Sequence, residues 1–131
     1  PYWTEKIALK HEELADLYLQ TKKPKEALDQ LLKSLHLSSR KSELSVRVAE
    51  TFLLVGDLHR SIQTLKSVIA EYPQFTQARV KLGTIYFDYN RIVEAAEQFE
   101  SVLLRDPSHP DALRKLKMCQ AVGVTTLDLG S

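Results

Sequence analysis

The side chains best suited to chemistry in this chain are four histidines and one cysteine. His11, His36, His59 and His109 are far apart in the sequence, and none has a set of metal-like partners at helical spacing. A zinc site needs clustered Cys or His ligands, whereas Cys119 stands alone and is expected to pack on a helix. There is no glycine-rich phosphate loop and no Gly-x-Ser-x-Gly turn. We therefore expect a non-enzymatic protein with no metal and no cofactor.

Basic side chains form a second group with possible chemistry, near the end of the first third of the chain. They are Lys22, Lys23, Lys25, Lys33, Arg40 and Lys41. This group is either a small positive patch or a set of solvated turns, because a nucleic-acid surface would also need interleaved aromatic residues. The formal net charge of +1, from 18 basic and 17 acidic residues, gives no general attraction to nucleic acid or to an anionic membrane.

Length and composition set further bounds. A chain of 131 residues that is 44% hydrophobic is large enough for one buried core. One cysteine cannot form an internal disulfide. No apolar run reaches the roughly 18 residues of a membrane span, and no secretion signal is visible. The default expectation is a cytoplasmic protein, although the start at Pro1 and the single Met118 suggest a fragment that lacks its native beginning.

The elements that would position these residues are indicated by an internal repeat. An apolar residue and a small residue precede an aromatic one at a spacing of 34 residues: Leu14, Ala15 and Tyr18, then Val48, Ala49 and Phe52, then Leu82, Gly83 and Tyr86. A small residue followed four positions later by a large apolar one recurs at the same spacing: Ala27 and Leu31, Ser61 and Leu65, Ala95 and Phe99. Between the two halves stand Lys22, Gly56 and Asn90, and the units end at Ser39, Pro73 and Pro107.

These columns resemble those of the tetratricopeptide repeat, a helix-turn-helix unit of 34 residues. Small residues on one helix allow close approach of the other, and the aromatics are expected in the core between helices. The resemblance implies an all-α fold, a right-handed α-solenoid of antiparallel pairs with about seven helices. It departs from the family at its early tryptophan, replaced by His11, Ser45 and Arg79, and at Lys22, Pro24, Ser34 and Ser39.

The predicted organisation is a single domain over residues 1–121. It consists of repeats at about 8–41, 42–75 and 76–109, a capping helix at about 109–121, and a flexible tail at 122–131. Apolar spacing predicts helices over about 5–20, 24–37, 75 or 76–88, 92–104 and 110–121. It also predicts another helix pair in the second repeat, which completes seven helices. Predicted caps are Thr4, Ser42, Asp57, and Ser108 or His109. Tyr2 and Trp3 either fold back over the first repeat or pack on a preceding segment.

In the resembled family the first helix of each repeat lines a groove that holds a peptide or a partner helix. Carried onto this chain by helical spacing, the groove residues are Leu9, Glu12, Asp16, Leu19, Glu43, Val46, Arg47, Glu50, Leu53, Gln77, Val80, Lys81, Thr84, Phe87 and Arg114. The list is acidic at its beginning and basic at its end. This pattern predicts either a groove for an amphipathic segment of opposite polarity or a solvated face with weak mutual pairs.

One branch of the family clamps the carboxyl-terminal tails of heat-shock chaperones with lysine, asparagine and arginine. At the matching positions this chain has Glu12, Asp16 and Arg47, followed by Gln77 and Lys81. A carboxylate would meet like charge there, so the pattern disfavours that ligand.

The function that the resemblance implies is that of a protein-binding adaptor or scaffold. The alternative is a structural or self-associating segment of a longer solenoid, with apolar contacts from Val122, Val124, Leu127 and Leu129.

Overall fold

The computed structural model describes the backbone of residues 2–130 and the side chains of residues 2–123. Within that part, every regular element is helical. The helices are α1 Tyr2–Gln20, α2 Pro24–Leu37, α3 Lys41–Leu54, α4 Leu58–Glu71, α5 Thr76–Asp88, α6 Ile92–Arg105 and α7 Pro110–Gly130. Three-residue turns join the members of each pair, which places them antiparallel. The predicted all-α fold of helix pairs is confirmed.

The chain forms two compact units, Pro1–Tyr72 and Pro73–Ser131, called unit 1 and unit 2 below. In unit 1, α1 packs on α2, α2 on α3, and α3 on α4. In unit 2, α5 packs on α6 and α6 packs on α7, while α5 also contacts α7. Within each unit, most contacts are therefore made between sequence neighbours, as in stacked repeats. The single-domain organisation over 1–121 stays a prediction.

The three turns inside the helix pairs share one backbone device. Lys22, Gly56 and Asn90 have φ of 60°, 85° and 63°, the left-handed conformation that closes many helix ends. The next residue donates its backbone N–H to the carbonyl five residues earlier, at 2.7 to 2.8 Å. These bonds run from Lys23 to Tyr18, from Asp57 to Phe52 and from Arg91 to Tyr86. The expectation of positive φ at Gly56 and Asn90 is confirmed. Lysine adopts the same conformation at a steric cost that glycine avoids.

The capping predictions are half right. The Asp57 carboxylate accepts the Arg60 backbone N–H at 3.0 Å, and His109 Nδ1 accepts that of Ala112 at 3.1 Å. Thr4 and Ser42 are wrong as caps, because α1 begins at Tyr2 and α3 at Lys41, which puts both residues inside helices. Spacing of apolar residues does not fix such ends to within two residues.

The core of unit 1 is built from the predicted columns. Ala15, Ala27, Leu31, Val48 and Phe52 form one buried cluster against which Tyr18 and Leu19 pack. In the second repeat, Ser61 occupies the column position that Ala27 has in the first repeat. Its hydroxyl donates to the Ala49 carbonyl on the facing helix at 2.7 Å, so the small column tolerates one buried polar atom because that atom is hydrogen-bonded. A second buried serine, Ser34, donates to the Ala8 carbonyl at 2.9 Å.

In unit 2 the close approach of the two helices falls at Gly83 of α5. A Cβ atom added there would lie 2.7 Å from Cε1 of Phe99 on α6, and Phe99 is completely buried. Tyr86 is also buried. Arg79, which stands where the resembled repeat has a tryptophan, has a structural role. It is buried and donates to the Pro73 carbonyl at 2.5 Å. Burial lowers the pKa of Arg79.

The last helix corrects one predicted boundary. α7 spans Pro110–Gly130, so it continues past residue 121. No proline follows Pro110, and Gly123 alone costs a helix only about 1 kcal/mol relative to alanine. The expectation of a flexible tail falls mainly on residues 124–131, which lie outside the residues whose side chains are described.

Candidate protein-interaction surfaces

The first candidate surface lies on α1 and α3 of unit 1 and is called the unit-1 surface. On α1, positions 9, 12, 16 and 19 are three or four residues apart and so share one face. Leu9 is 51% exposed, Asp16 is exposed and Leu19 is half-buried. On α3, Glu43 and Glu50 are exposed, and Arg47 and Leu53 are half-buried. The surface thus combines leucine side chains with charged ones.

An ion-pair network joins the two helices. Arg47 of α3 donates from Nη1 to Glu12 Oε1 at 3.3 Å and from Nη2 to Asp16 Oδ1 at 2.5 Å. Arg40, which precedes α3, donates to the other Glu12 oxygen and lies 3.5 Å from a carboxylate oxygen of Glu43. These five groups form one connected network of ion pairs between α1, α3 and the residue that precedes α3.

Two predicted groove residues are not available for contact. Val46 is 1% exposed and Glu12 is 7% exposed, so both face the packing rather than the solvent. The structure also changes the expectation of an acidic beginning to the groove. The negative charges of Glu12 and Asp16 are neutralised by Arg40 and Arg47. This arrangement is close to the alternative prediction, a solvated face whose charges pair with each other. The assignment of this face as a binding groove stays a prediction, and helical spacing could not show which side chains the next helix covers.

One apolar residue of this region was not predicted. Leu54, the last residue of α3, is 63% exposed and follows the predicted Leu53 directly. It lies outside the repeat columns, but its position four residues after Glu50 and seven after Arg47 was a signal that it shares their face of α3. The apolar part of the unit-1 surface therefore ends in a pair of adjacent leucines.

The second candidate surface, the unit-2 surface, lies on α5 and the start of α7. Gln77 is exposed, while Val80, Lys81, Thr84 and Phe87 are half-buried. Arg114, the predicted contribution of α7, is exposed but pairs with Asp111 on its own helix. An α7 side chain that does reach α5 is Lys115, whose Nζ donates to Thr84 Oγ1 at 2.7 Å.

Lys115 was missed although the sequence held a signal for it. Arg47, Lys81 and Lys115 are basic residues at steps of 34, so the repeat period itself predicts a third member of this column. Lys115 also lies 3.2 Å from Asp111. Arg114 and Lys115 together hold the pKa of Asp111 below its usual range, with the Arg114 hydrogen bond as the largest cause.

The candidate chemical residues are not brought together. His11 Nδ1 lies 2.7 Å from Gln30 Oε1, which gives that ring a structural partner. Cys119 is buried, and burial raises the pKa of its thiol, which disfavours the reactive thiolate. Across residues 2–123, no three His, Cys, Asp or Glu side chains are grouped as a metal would need. No described helix has the length and apolar character of a membrane span.

Comparison with known proteins identifies the class of this fold. The family model described as tetratricopeptide repeat protein 21 ARM repeat matches residues 4–95. The chain belongs to this tetratricopeptide repeat family. No curated protein matches its sequence.

Solved tetratricopeptide domains have the same fold. The first such domain of Spaghetti (RPAP3), bound to the HSP90 peptide SRMEEVD, superposes with a TM-score of 0.73 at 22% identity, covering 91% of this chain and 95% of that one. The second domain of human RPAP3, in complex with the HSP70 peptide SGPTIEEVD, gives 0.71 at 17% identity, with 89% and 98% covered. The Sgt2 domain from Aspergillus fumigatus gives 0.77 at 15% identity, with 92% and 82% covered. At these identities the likeness concerns the fold.

Proposed function

We propose that this chain is a non-enzymatic protein-interaction module, an adaptor or scaffold that binds a peptide or helical segment of a partner on the first helices of its repeats. The observation that carries the proposal is the unit-1 surface, where leucines stay exposed beside charges that Arg47 holds in place. Membership of a tetratricopeptide family and the peptide complexes of similar domains support a protein partner. The unit-2 surface is proposed as a contact region of the same kind.

Apolar contacts would supply most of the affinity. Leu9, Leu53 and Leu54 offer accessible apolar area, and burial of such area contributes about 25 cal/mol per Å². The paired charges would add selectivity rather than attraction, because a partner must replace or match existing pairs. A helical scaffold whose charged side chains are already paired loses less conformational freedom on binding than a flexible segment does.

The same charges argue against a chaperone tail as the ligand. Peptides such as SRMEEVD end in acidic residues and a free carboxylate, which would approach Asp16, Glu43 and the already neutralised Arg47. We expect fluorescence polarisation to detect no saturable binding of labelled SRMEEVD or SGPTIEEVD below about 1 mM, an affinity limit of about −4 kcal/mol. Binding in the micromolar range would refute this specificity argument but not the interaction role.

A displayed peptide library, selected against the purified chain, tests the interaction role itself. Peptides that are enriched would be measured against a Glu43→Lys, Leu53→Gln variant and against a matched control. The control Lys33→Glu, Leu32→Gln makes one charge reversal and one loss of a leucine on α2, where Leu32 is 43% exposed.

We expect the unit-1 variant to lose at least about tenfold in affinity, which corresponds to about 1.4 kcal/mol, while the control stays within about twofold. Circular dichroism would establish that both variants keep their helicity. Failure to enrich any peptide, or equal binding by both variants, would contradict the proposed function.

A further inference from the structure

The outward face of α1 carries an apolar stripe that belongs to neither candidate surface. Trp3, Ile7, Leu14 and Leu17 are 71%, 49%, 37% and 56% exposed, and their spacing of four, seven and three residues places them along one side of the helix. Tyr2, 62% exposed, lies against Trp3 edge to face, with ring centroids 5.2 Å apart. The two aromatics therefore do not fold back over the first repeat. Single apolar residues are normal on a surface, whereas several aligned along one side of a helix, here on both sides of Lys10, form a candidate interaction site.

The internal repeat shows what this face accommodates. Leu14 and Leu17 correspond, 34 residues on, to Val48 and Thr51 of α3. Those two residues are only 1% and 2% exposed, and α3 packs on α2. The same face of a first helix is thus shaped to receive another α-helix.

Charge along the stripe is divided between its two ends. Lys6 lies beside the amino-terminal half, Lys10 lies within the stripe between Ile7 and Leu14, and Glu13 lies beside the carboxyl-terminal half. Lys10 and Glu13 are 80% and 56% exposed and 3.5 Å apart, a surface pair that stabilises little by itself. A second copy of α1 laid antiparallel brings Glu13 of one copy over the lysines of the other, whereas a parallel copy places lysines against lysines.

We propose that the chain self-associates through this face, α1 against α1 of a second copy, antiparallel about a two-fold axis. Such a contact is isologous and closes as a dimer. The amino-terminal half of the stripe borders an open recess on α1, lined by Trp3, Ile7, the side chains of Lys6, Lys10 and Glu13, and Leu9 of the unit-1 surface. In the antiparallel arrangement Leu17 of the second copy lies over this recess.

The size of the stripe predicts a weak dimer. One 19-residue helix face per copy buries on the order of 1,000 Å² in total, the lower end for specific interfaces. We expect a monomer–dimer equilibrium with a dissociation constant of roughly 10 to 100 μM. Sedimentation velocity from about 5 to 500 μM would measure it.

Single substitutions test the apolar stripe. Ile7→Glu or Leu17→Glu should weaken dimerisation at least tenfold, while Leu32→Glu on α2, a leucine of similar exposure, should leave it unchanged. All three positions are surface positions, so circular dichroism should show unchanged helicity and melting. A chain that stays monomeric to 500 μM would overturn the proposal, as would a dimer that all three variants retain.

Charge reversal tests the antiparallel arrangement independently. The Lys6→Glu, Lys10→Glu variant makes the whole stripe acidic, and Glu13→Lys makes it wholly basic, so each variant alone should repel its own copy. An equimolar mixture of these two variants should form a heterodimer whose dissociation constant is no larger than that of the unaltered dimer. A mixture that stays monomeric, or single variants that dimerise undiminished, would overturn the arrangement.

Discussion

Replacement of Gly83 by alanine has two opposite effects on stability: alanine favours the helix, but its methyl group would overlap with Phe99. In an exposed helix interior, Gly→Ala stabilises by about 1 kcal/mol. At Gly83 the new Cβ would lie 2.7 Å from Cε1 and 2.8 Å from Cζ of Phe99. Both separations are far inside normal carbon contact distances of about 3.5 to 4.0 Å. Because Phe99 is fully buried, its ring can move only against the close-packed side chains of the core.

The expected cost follows from that geometry. Inserting a methyl group into a filled core costs typically about 1 to 3 kcal/mol, which exceeds the propensity gain. We expect Gly83→Ala to lower the free energy of unfolding by about 1 kcal/mol, equivalent to about 4 °C in melting temperature for a domain of this size. Urea unfolding followed by circular dichroism at the helix band measures the change.

A second background separates packing from backbone effects. In Phe99→Leu, the ring atoms that meet the new methyl group are absent, so Gly83→Ala should become stabilising there by roughly the propensity difference of 1 kcal/mol. A stabilising effect of Gly83→Ala in the unaltered chain, or the same effect in both backgrounds, would refute the close-approach explanation for this glycine.

Three further predictions concern unit 1. Ser61→Ala keeps the small side chain but removes its buried hydrogen bond and should cost about 1 kcal/mol in urea unfolding; an unchanged midpoint would contradict a role for the hydroxyl. Lys22→Gly should stabilise and Gly56→Ala should destabilise, each by up to about 1 kcal/mol, because both positions have positive φ; shifts of the same sign would contradict the turn account. The pKa of Glu5 is lowered, and the largest cause is the hydrogen bond that its carboxylate accepts from the Ser39 backbone N–H. The ionised Glu5 therefore stabilises the fold above the ordinary glutamate pKa of about 4.3, and this stabilisation is lost as pH falls through the lowered pKa. The difference in melting temperature between the unaltered chain and Glu5→Gln should therefore shrink from pH 6 to pH 3, and a constant difference would refute the linkage.

The repeat spacing predicted most of the fold because its columns have a packing cause. Ala15 and Ala27 are small where α1 and α2 approach, and Phe52 fills the space beside them. Gly56 and Asn90 are residues that tolerate the left-handed turn conformation. Each of these features is local or recurs at a fixed interval, so a sequence pattern can express it.

The candidate surfaces were less predictable because side-chain pairing depends on how helices lie against each other. Nothing in the spacing indicated that Arg40 would reach Glu12, 28 residues away, or that Val46 would be covered completely. Helix α7 continues past residue 121 although Gly123 follows, because one glycine weakens a helix without ending it. Lys115 is the exception, since its repeat position was visible in the sequence.

The most direct test of the central claim locates a bound peptide on unit 1 by ¹H–¹⁵N NMR. A peptide enriched against the purified chain would be titrated into labelled protein at a concentration where the chain is monomeric. Our account predicts that the largest shifts fall on α1 and α3 around Asp16, Leu19 and Leu53, with little change on the outer face of α2 around Leu32. Shifts concentrated on α2 and α4, with α1 and α3 unaffected, would contradict it.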